Sequence, residues 1–160
     1  MTTMAPYVAV CGSGEATVQE ATWAEEVGRL IAEAGAVLVS GGLGGVMDSA
    51  ARGCEAGGGL SMGILPGARR EAASPHLTVS IPSGLGEARN ALVVRSADVV
   101  IAIGGEFGTL SEIALALKAG TPVVGLHTWE LAKHGSPVNA IIQTETPQEA
   151  VRAALDAIAS

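Results

Sequence analysis

The run Asp98-Val99-Val100-Ile101-Ala102-Ile103, followed at once by Gly104-Gly105, constrains this chain more than any other stretch. A short run rich in β-branched residues, without polar alternation, describes a strand buried on both faces. Beyond the glycines, Leu110, Ile113, Ala114 and Leu117 recur at the i, i+3, i+4, i+7 spacing of an amphipathic helix that stops near Gly120. The segment Gly104-Gly105-Glu106-Phe107-Gly108-Thr109 is therefore a turn from the C-terminal end of a strand to the N-terminus of a helix. The first N–H groups of a helix have no partner within it, and the helix dipole adds partial positive charge there. Glycines let a ligand approach such a backbone closely, and a phosphate is the natural occupant.

The same arrangement recurs upstream. Tyr7 to Cys11 reads as a strand that ends in Gly12-Ser13-Gly14, and Thr17 with Glu20 forms a capping-box pattern at the start of a helix. That helix is expected to turn Val27, Leu30, Ile31 and Ala34 inward and to end at Gly35. Ala36 to Ser40 is a second strand, and Gly41-Gly42-Leu43-Gly44-Gly45 a second glycine-rich turn before a helix starting near Val46. Gly57-Gly58-Gly59 closes it, Leu60 to Leu65 is a third strand, and residues 66–76 form a polar loop with Arg69, Arg70, Glu71 and His76.

Leu77 to Ile81 reads as a fourth strand, and residues 83–97 as a turn and the helix bearing Arg89 and Asn90. After the strand at 98–103 come strands at Pro122 to Leu126 and Ala140 to Ile142. Thr146-Pro147-Gln148-Glu149 combines an N-cap, a proline at N1 and a capping-box glutamate, opening a last helix that buries Val151, Ala154, Leu155 and Ile158. Strands alternating with helices predict an α/β fold: a doubly wound parallel sheet flanked by helices, in a single domain over residues 1–160. The turns after strands one, two and five then share the edge where such sheets bind ligands.

Charged residues make up 16% of the 160 residues, against ~25% in an average soluble domain. So little charge leaves too little polar surface for a monomer, and a homodimer or higher even oligomer is expected. The net charge of −7, with no basic cluster beyond Arg69-Arg70, excludes a nucleic-acid polymer as partner. Cys11 and Cys54 are too few and too far apart for a zinc site or a disulfide framework, so they read as buried thiols in a reducing compartment. No signal-peptide pattern or membrane-length apolar run occurs, which predicts a cytoplasmic protein with no membrane contact. No metal and no cofactor is expected.

A dinucleotide enzyme is excluded by the residues themselves. Gly12-Ser13-Gly14-Glu15-Ala16-Thr17 lacks the third glycine of GxGxxG, and Ser40-Gly41 stands where an acidic residue would hold the ribose. The GxxxxGK[ST] pattern is absent too, which leaves a mononucleotide or another small phosphorylated molecule.

Gly41-Gly42-Leu43-Gly44-Gly45-Val46-Met47, Gly63-Ile64-Leu65-Pro66, Arg89 and Gly108-Thr109-Leu110-Ser111-Glu112 follow the order and approximate spacing of the LOG family, from roughly Tyr7 to Leu126. Those proteins are cytokinin-activating phosphoribohydrolases, formerly labelled lysine decarboxylases. Ala88-Arg89-Asn90 and Gly104-Gly105-Glu106-Phe107-Gly108-Thr109 resemble more the short bacterial branch near the molybdenum cofactor carrier proteins. The resemblance implies a Rossmann-like fold, a homodimer, and cleavage of a nucleoside 5′-monophosphate to free base and ribose 5-phosphate.

Its hallmark arginine falls on Arg89 and its GTxxE glutamate on Glu112, the two candidate catalytic residues. The phosphate is expected on Gly12, Ser13, Gly14, Gly41, Gly42, Gly44, Gly45, Asn90, Gly104, Gly105, Gly108 and Thr109. Two positions depart from the pattern: Asn90 replaces a lysine, and Gly104-Gly105-Glu106 replaces PGG. The alternative to hydrolysis is a carrier for a phosphorylated pterin such as the molybdenum cofactor. Thr109-Leu110-Ser111-Glu112 is also a capping-box pattern, in which Glu112 would bond the Thr109 N–H. Met47 reads as core, and Glu106, His76, His127 and His134 as loop or rim residues.

Overall fold

The structure, a computed structural model, describes residues 3–160. Seven strands form one sheet in the order β4-β3-β2-β1-β5-β6-β9, every neighbouring pair parallel. They are β1 (Tyr7–Gly12), β2 (Val37–Ser40), β3 (Leu60–Leu65), β4 (Val79–Pro82), β5 (Val99–Ile103), β6 (Val123–Leu126) and β9 (Ile141–Thr144). Five helices connect or follow them: α1 (Val18–Glu33), α2 (Val46–Ala56), α3 (Arg89–Arg95), α4 (Phe107–Ala119) and α5 (Pro147–Ala159). The α/β Rossmann-like expectation is met. β5 lies beside β1, in register from Val8 opposite Val99 to Gly12 opposite Ile103. The chain winds outward from that pair in both directions, so the crevice between β1 and β5 is the topological switch point.

Two aliphatic cores sandwich the sheet. Val8, Val10, Leu38, Val99, Ile101, Ile103, Val124 and Leu126 face α1, α2 and α5. Ala9, Cys11, Val39, Val100, Ala102 and Val123 face α3 and α4. All five residues of β5 are buried, because helices cover it on both sides. Helices α1 and α2 cross closely through glycines: a Cβ on Gly28 would overlap the Ala50 carbonyl, and one on Gly53 the Glu25 carbonyl.

Several local expectations need correction. Ala34 is exposed at the C-cap of α1, and Ala24 and Gly28 complete the buried face instead. β4 begins at Val79 rather than Leu77, and β9 runs Ile141–Thr144 rather than from Ala140. Leu155 and Ile158 are only half-buried on α5. The Thr17–Glu20 capping box forms as read, whereas the Glu149 carboxylate reaches one residue further back, to the Glu145 N–H at 2.9 Å. An antiparallel hairpin, β7 (Leu131–Lys133) and β8 (Ser136–Val138), lies between β6 and β9 where the sequence suggested no strand.

The largest correction concerns α4. It begins at Phe107 with Glu106 as N-cap, and it buries Thr109, Glu112, Ile113 and Ala116. The stripe expected to face inward was Leu110, Ile113, Ala114 and Leu117. Of these only Ile113 is fully buried, Ala114 is exposed, and Leu110 and Leu117 are half-exposed. Apolar residues surround most of this helix, so periodicity alone could not set its rotation.

Candidate functional site

The C-terminal ends of β1, β2 and β5 bring their three glycine turns to one edge of the sheet. The first two turns are joined directly, by the Val46 N–H donating to the Ser13 carbonyl at 3.0 Å. The third is shaped by Gly104 and Gly105, with φ of 50° and 97°. A Cβ at Gly105 would overlap the Thr109 side chain, so this residue type lets the chain reverse from β5 into α4. The turn is also held from outside. Thr128 Oγ1 donates to the Gly104 carbonyl at 2.5 Å, and the Trp129 indole N–H to the Glu106 carbonyl at 3.3 Å.

No side chain caps α4, and its first bond runs from the Leu110 N–H to the Glu106 carbonyl at 3.0 Å. The N–H groups of Phe107, Gly108 and Thr109 precede that bond and mark the positive end of the helix. They adjoin a cavity of about 210 Å³ lined by Gly12, Ser13, Gly14, Met47, Arg89, Asn90, Glu106, Gly108, Thr109 and Glu112. Larger cavities of about 510 and 400 Å³ lie along α1 and beneath the β7–β8 hairpin. Neither touches a glycine turn, and the N-terminus of α5 that borders the first is capped by Thr146 and opens on a proline, so size does not pick out the site here.

Arg89, the first residue of α3, is only 9% exposed. Its Nε donates to the Ile64 carbonyl at 2.9 Å, one terminal nitrogen to the Gly41 carbonyl at 3.3 Å, and the other to Asn90 Oδ1. A Cβ on Gly41 would come within 2.7 Å of the guanidinium, so Gly41 serves the arginine as bonding partner and as open space. Arg89 is thus clamped between the ends of β2 and β3, with two of its five N–H groups left for a ligand.

Glu112, one turn into α4 on the same side as Thr109, is 8% exposed and makes no ion pair among the described residues. Burial raises its carboxyl from 4.5 to about 7, against the smaller opposing pull of the Cys11 thiol and the Arg89 guanidinium. Burial, with the Glu112 carboxylate nearby, also pushes the Cys11 thiol well above its ordinary value, which makes it an inert wall rather than a nucleophile. The capping-box reading of Glu112 fails, because Thr109 lies inside the helix rather than at its N-cap.

Of the candidate residues, Arg89, Glu112, Gly12, Ser13, Gly14, Asn90, Gly108 and Thr109 line the one cavity. Gly41, Gly42, Gly44, Gly45, Gly104 and Gly105 do not; they shape the turns behind it. Met47 and Glu106 line the cavity although the sequence reading set both aside. The signal for each was its place, immediately after a glycine turn at the start of a helix. Arrayed together are one clamped cation, two carboxylates and a set of free backbone donors, a constellation suited to a small anionic ligand.

Comparison with known proteins agrees with this geometry. The family model described as LDcluster4, the SLOG cluster4 family, matches residues 5–151. An uncharacterised protein of Archaeoglobus fulgidus is 41% identical over 144 residues, 90% of this chain and 91% of its own. The molybdenum cofactor binding protein of Rippkaea orientalis superposes with a TM-score of 0.89 at 35% identity, over 99% of this chain and 100% of that one. The molybdenum cofactor carrier protein of Chlamydomonas reinhardtii does so with a TM-score of 0.88 at 32% identity, over 98% and 100%.

Proposed function

The chain belongs to the SLOG cluster4 family, and we propose that it binds and carries a small phosphorylated ligand of the molybdenum cofactor type, a pterin bearing a phosphate. The observation that carries this reading is the uncapped N-terminus of α4, whose N–H groups meet Arg89 at one cavity. Charge-assisted hydrogen bonds contribute ~1.5–3 kcal/mol each, so a phosphate held there anchors the ligand and leaves its ring system to the cavity mouth. The two solved relatives that bind or carry this cofactor, each aligned over nearly the whole chain, support the choice of ligand.

Hydrolysis of a nucleoside 5′-monophosphate is the second reading, and one feature favours it. Glu112 is buried near Arg89 with a proton affinity close to neutrality, as an acid–base residue requires. Against it stands Glu106, a second carboxylate in the cavity where the resemblance to the LOG family calls for glycine. Under either reading we take the protein to be cytoplasmic and a homodimer, with the outer face of α4, where Phe107 is exposed, as the proposed contact. No helix among the described residues is long and apolar enough to cross a membrane.

One experiment separates the two readings. The purified protein is incubated with molybdenum cofactor and, separately, with AMP and related monophosphates; retained pterin, free base and ribose 5-phosphate are then quantified. The carrier reading expects retained pterin and no released base. Release of base with ribose 5-phosphate at a catalytic rate overturns it in favour of the hydrolase.

A further inference from the structure

The cavity carries more negative charge than an anion-binding site should. Three ionisable side chains line it: Arg89, Glu106 and Glu112. With both carboxylates charged, the side chains sum to −1, and the N-terminus of α4 offsets only about half a charge. A phosphate monoester adds ~−1.5 to −2 at neutral pH. In a cavity of about 210 Å³, where the three charges lie close together, that repulsion is relieved most easily if one carboxylate takes a proton.

The two acids are not equivalent. Glu106 is exposed at the N-cap and can turn its charge to water. Glu112 is 8% exposed, on the buried side of the second turn of α4, and cannot. The groups it meets are the Cys11 thiol from β1 and the Arg89 guanidinium from α3, with Glu106 across the cavity; Met47 from α2, Asn90 from α3 and Thr109 from its own helix are neutral. Arg89 already donates to two carbonyls and to Asn90, so it cannot turn fully toward Glu112.

We infer that Glu112 meets the anionic group of the ligand as a neutral carboxylic acid, donating its proton to a phosphate oxygen in a hydrogen bond, so that ligand binding takes up one proton at this residue. The inference rests on the reading of the site as one for a phosphorylated ligand. Its proton comes from solvent, and no covalent bond is made or broken in the ligand. The acid works as a gauge of anion charge: it admits a phosphate by neutralising itself, and it repels the same phosphate when the pH holds it ionised. Burial supports this, since it already brings Glu112 to about 7.

The test is calorimetry with AMP and with inorganic phosphate as probes, between pH 7 and 9, in buffers of different ionisation enthalpy. For the parent protein, proton uptake on binding approaches one toward pH 9, and Kd rises about tenfold per pH unit above pH 8. Glu112→Gln keeps a hydrogen-bond donor but cannot titrate; it binds with no proton uptake at that position and loses the tenfold slope. Glu106→Gln retains the slope. Binding of either probe by the parent without proton uptake overturns the inference while leaving the phosphorylated-ligand reading in place. A slope lost in Glu106→Gln and kept in Glu112→Gln overturns the assignment to Glu112. Failure of the parent to bind both probes overturns the inference and that reading together.

Discussion

Arg89 directs most of its donors inward. Three bonds join it to Ile64, Gly41 and Asn90, so its removal leaves two buried carbonyls without a donor. Each orphaned group costs ~1–3 kcal/mol, and Arg89→Ala should therefore lower the melting temperature by roughly 5 °C or more as well as weakening ligand binding. An unchanged melting curve would show that the guanidinium serves the ligand alone. Glu112 behaves in the opposite sense. Its folded value of about 7 lies above the ordinary 4.5, so the protonated form is the one that suits burial. The stability it contributes is full below about pH 4.5 and is lost as pH rises through 7. A rise of that size corresponds to ~3 kcal/mol. Glu112→Gln should match the parent in thermal melts at pH 4 and melt above it at pH 8; equal melting at both would remove the burial penalty. Neither residue's role was fully legible in the sequence. Their order among the glycine turns marked both, but the carbonyls that clamp Arg89 come from the turn after β2 and from β3, 48 and 25 residues away in the chain.

At the scale of elements, the sequence revealed where along the chain the seven sheet strands and all three glycine turns fall, because β-branched runs and glycines act locally; their order in the sheet comes from the structure. It misjudged elements whose form depends on neighbours. The hairpin β7–β8 has three-residue strands, too short for periodicity to register. Its only signal was His134-Gly135, both at positive φ in the manner of a two-residue hairpin turn. The rotation of α4 went astray for a deeper reason. Its inner face holds Thr109 and Glu112, polar residues reserved for the cavity, while Phe107, Leu110 and Ala114 lie on the outside. Phe107 is 77% exposed, and Leu92 of the adjoining α3 is exposed as well. If this face is the proposed dimer contact, Ala114→Arg places a long cation where a monomer tolerates it and a tightly packed pair does not. Light scattering should then report half the parent's mass with little change in melting temperature. A variant that stays dimeric would move the contact elsewhere.

Across the whole molecule, the cores are built almost entirely from aliphatic side chains. The chain has one phenylalanine, one tyrosine and two tryptophans, and none of the four is fully buried. Trp23 stacks on His127, ring centroids 4.6 Å apart and 9° from parallel, on the surface of α1. Trp129 leans against Phe107 at 5.6 Å, with its indole N–H on the carbonyl of Glu106, a residue of the cavity wall. The consequence is optical. The intrinsic emission of this protein reports on its surface, and one of its two indoles is hydrogen-bonded to a residue of the cavity wall. A phosphorylated ligand that shifts the Gly104–Glu106 turn should change the fluorescence; Trp129→Phe should abolish that change and Trp23→Phe should leave it. If Trp129→Phe retains the full response, the signal originates at Trp23 and the turn does not move.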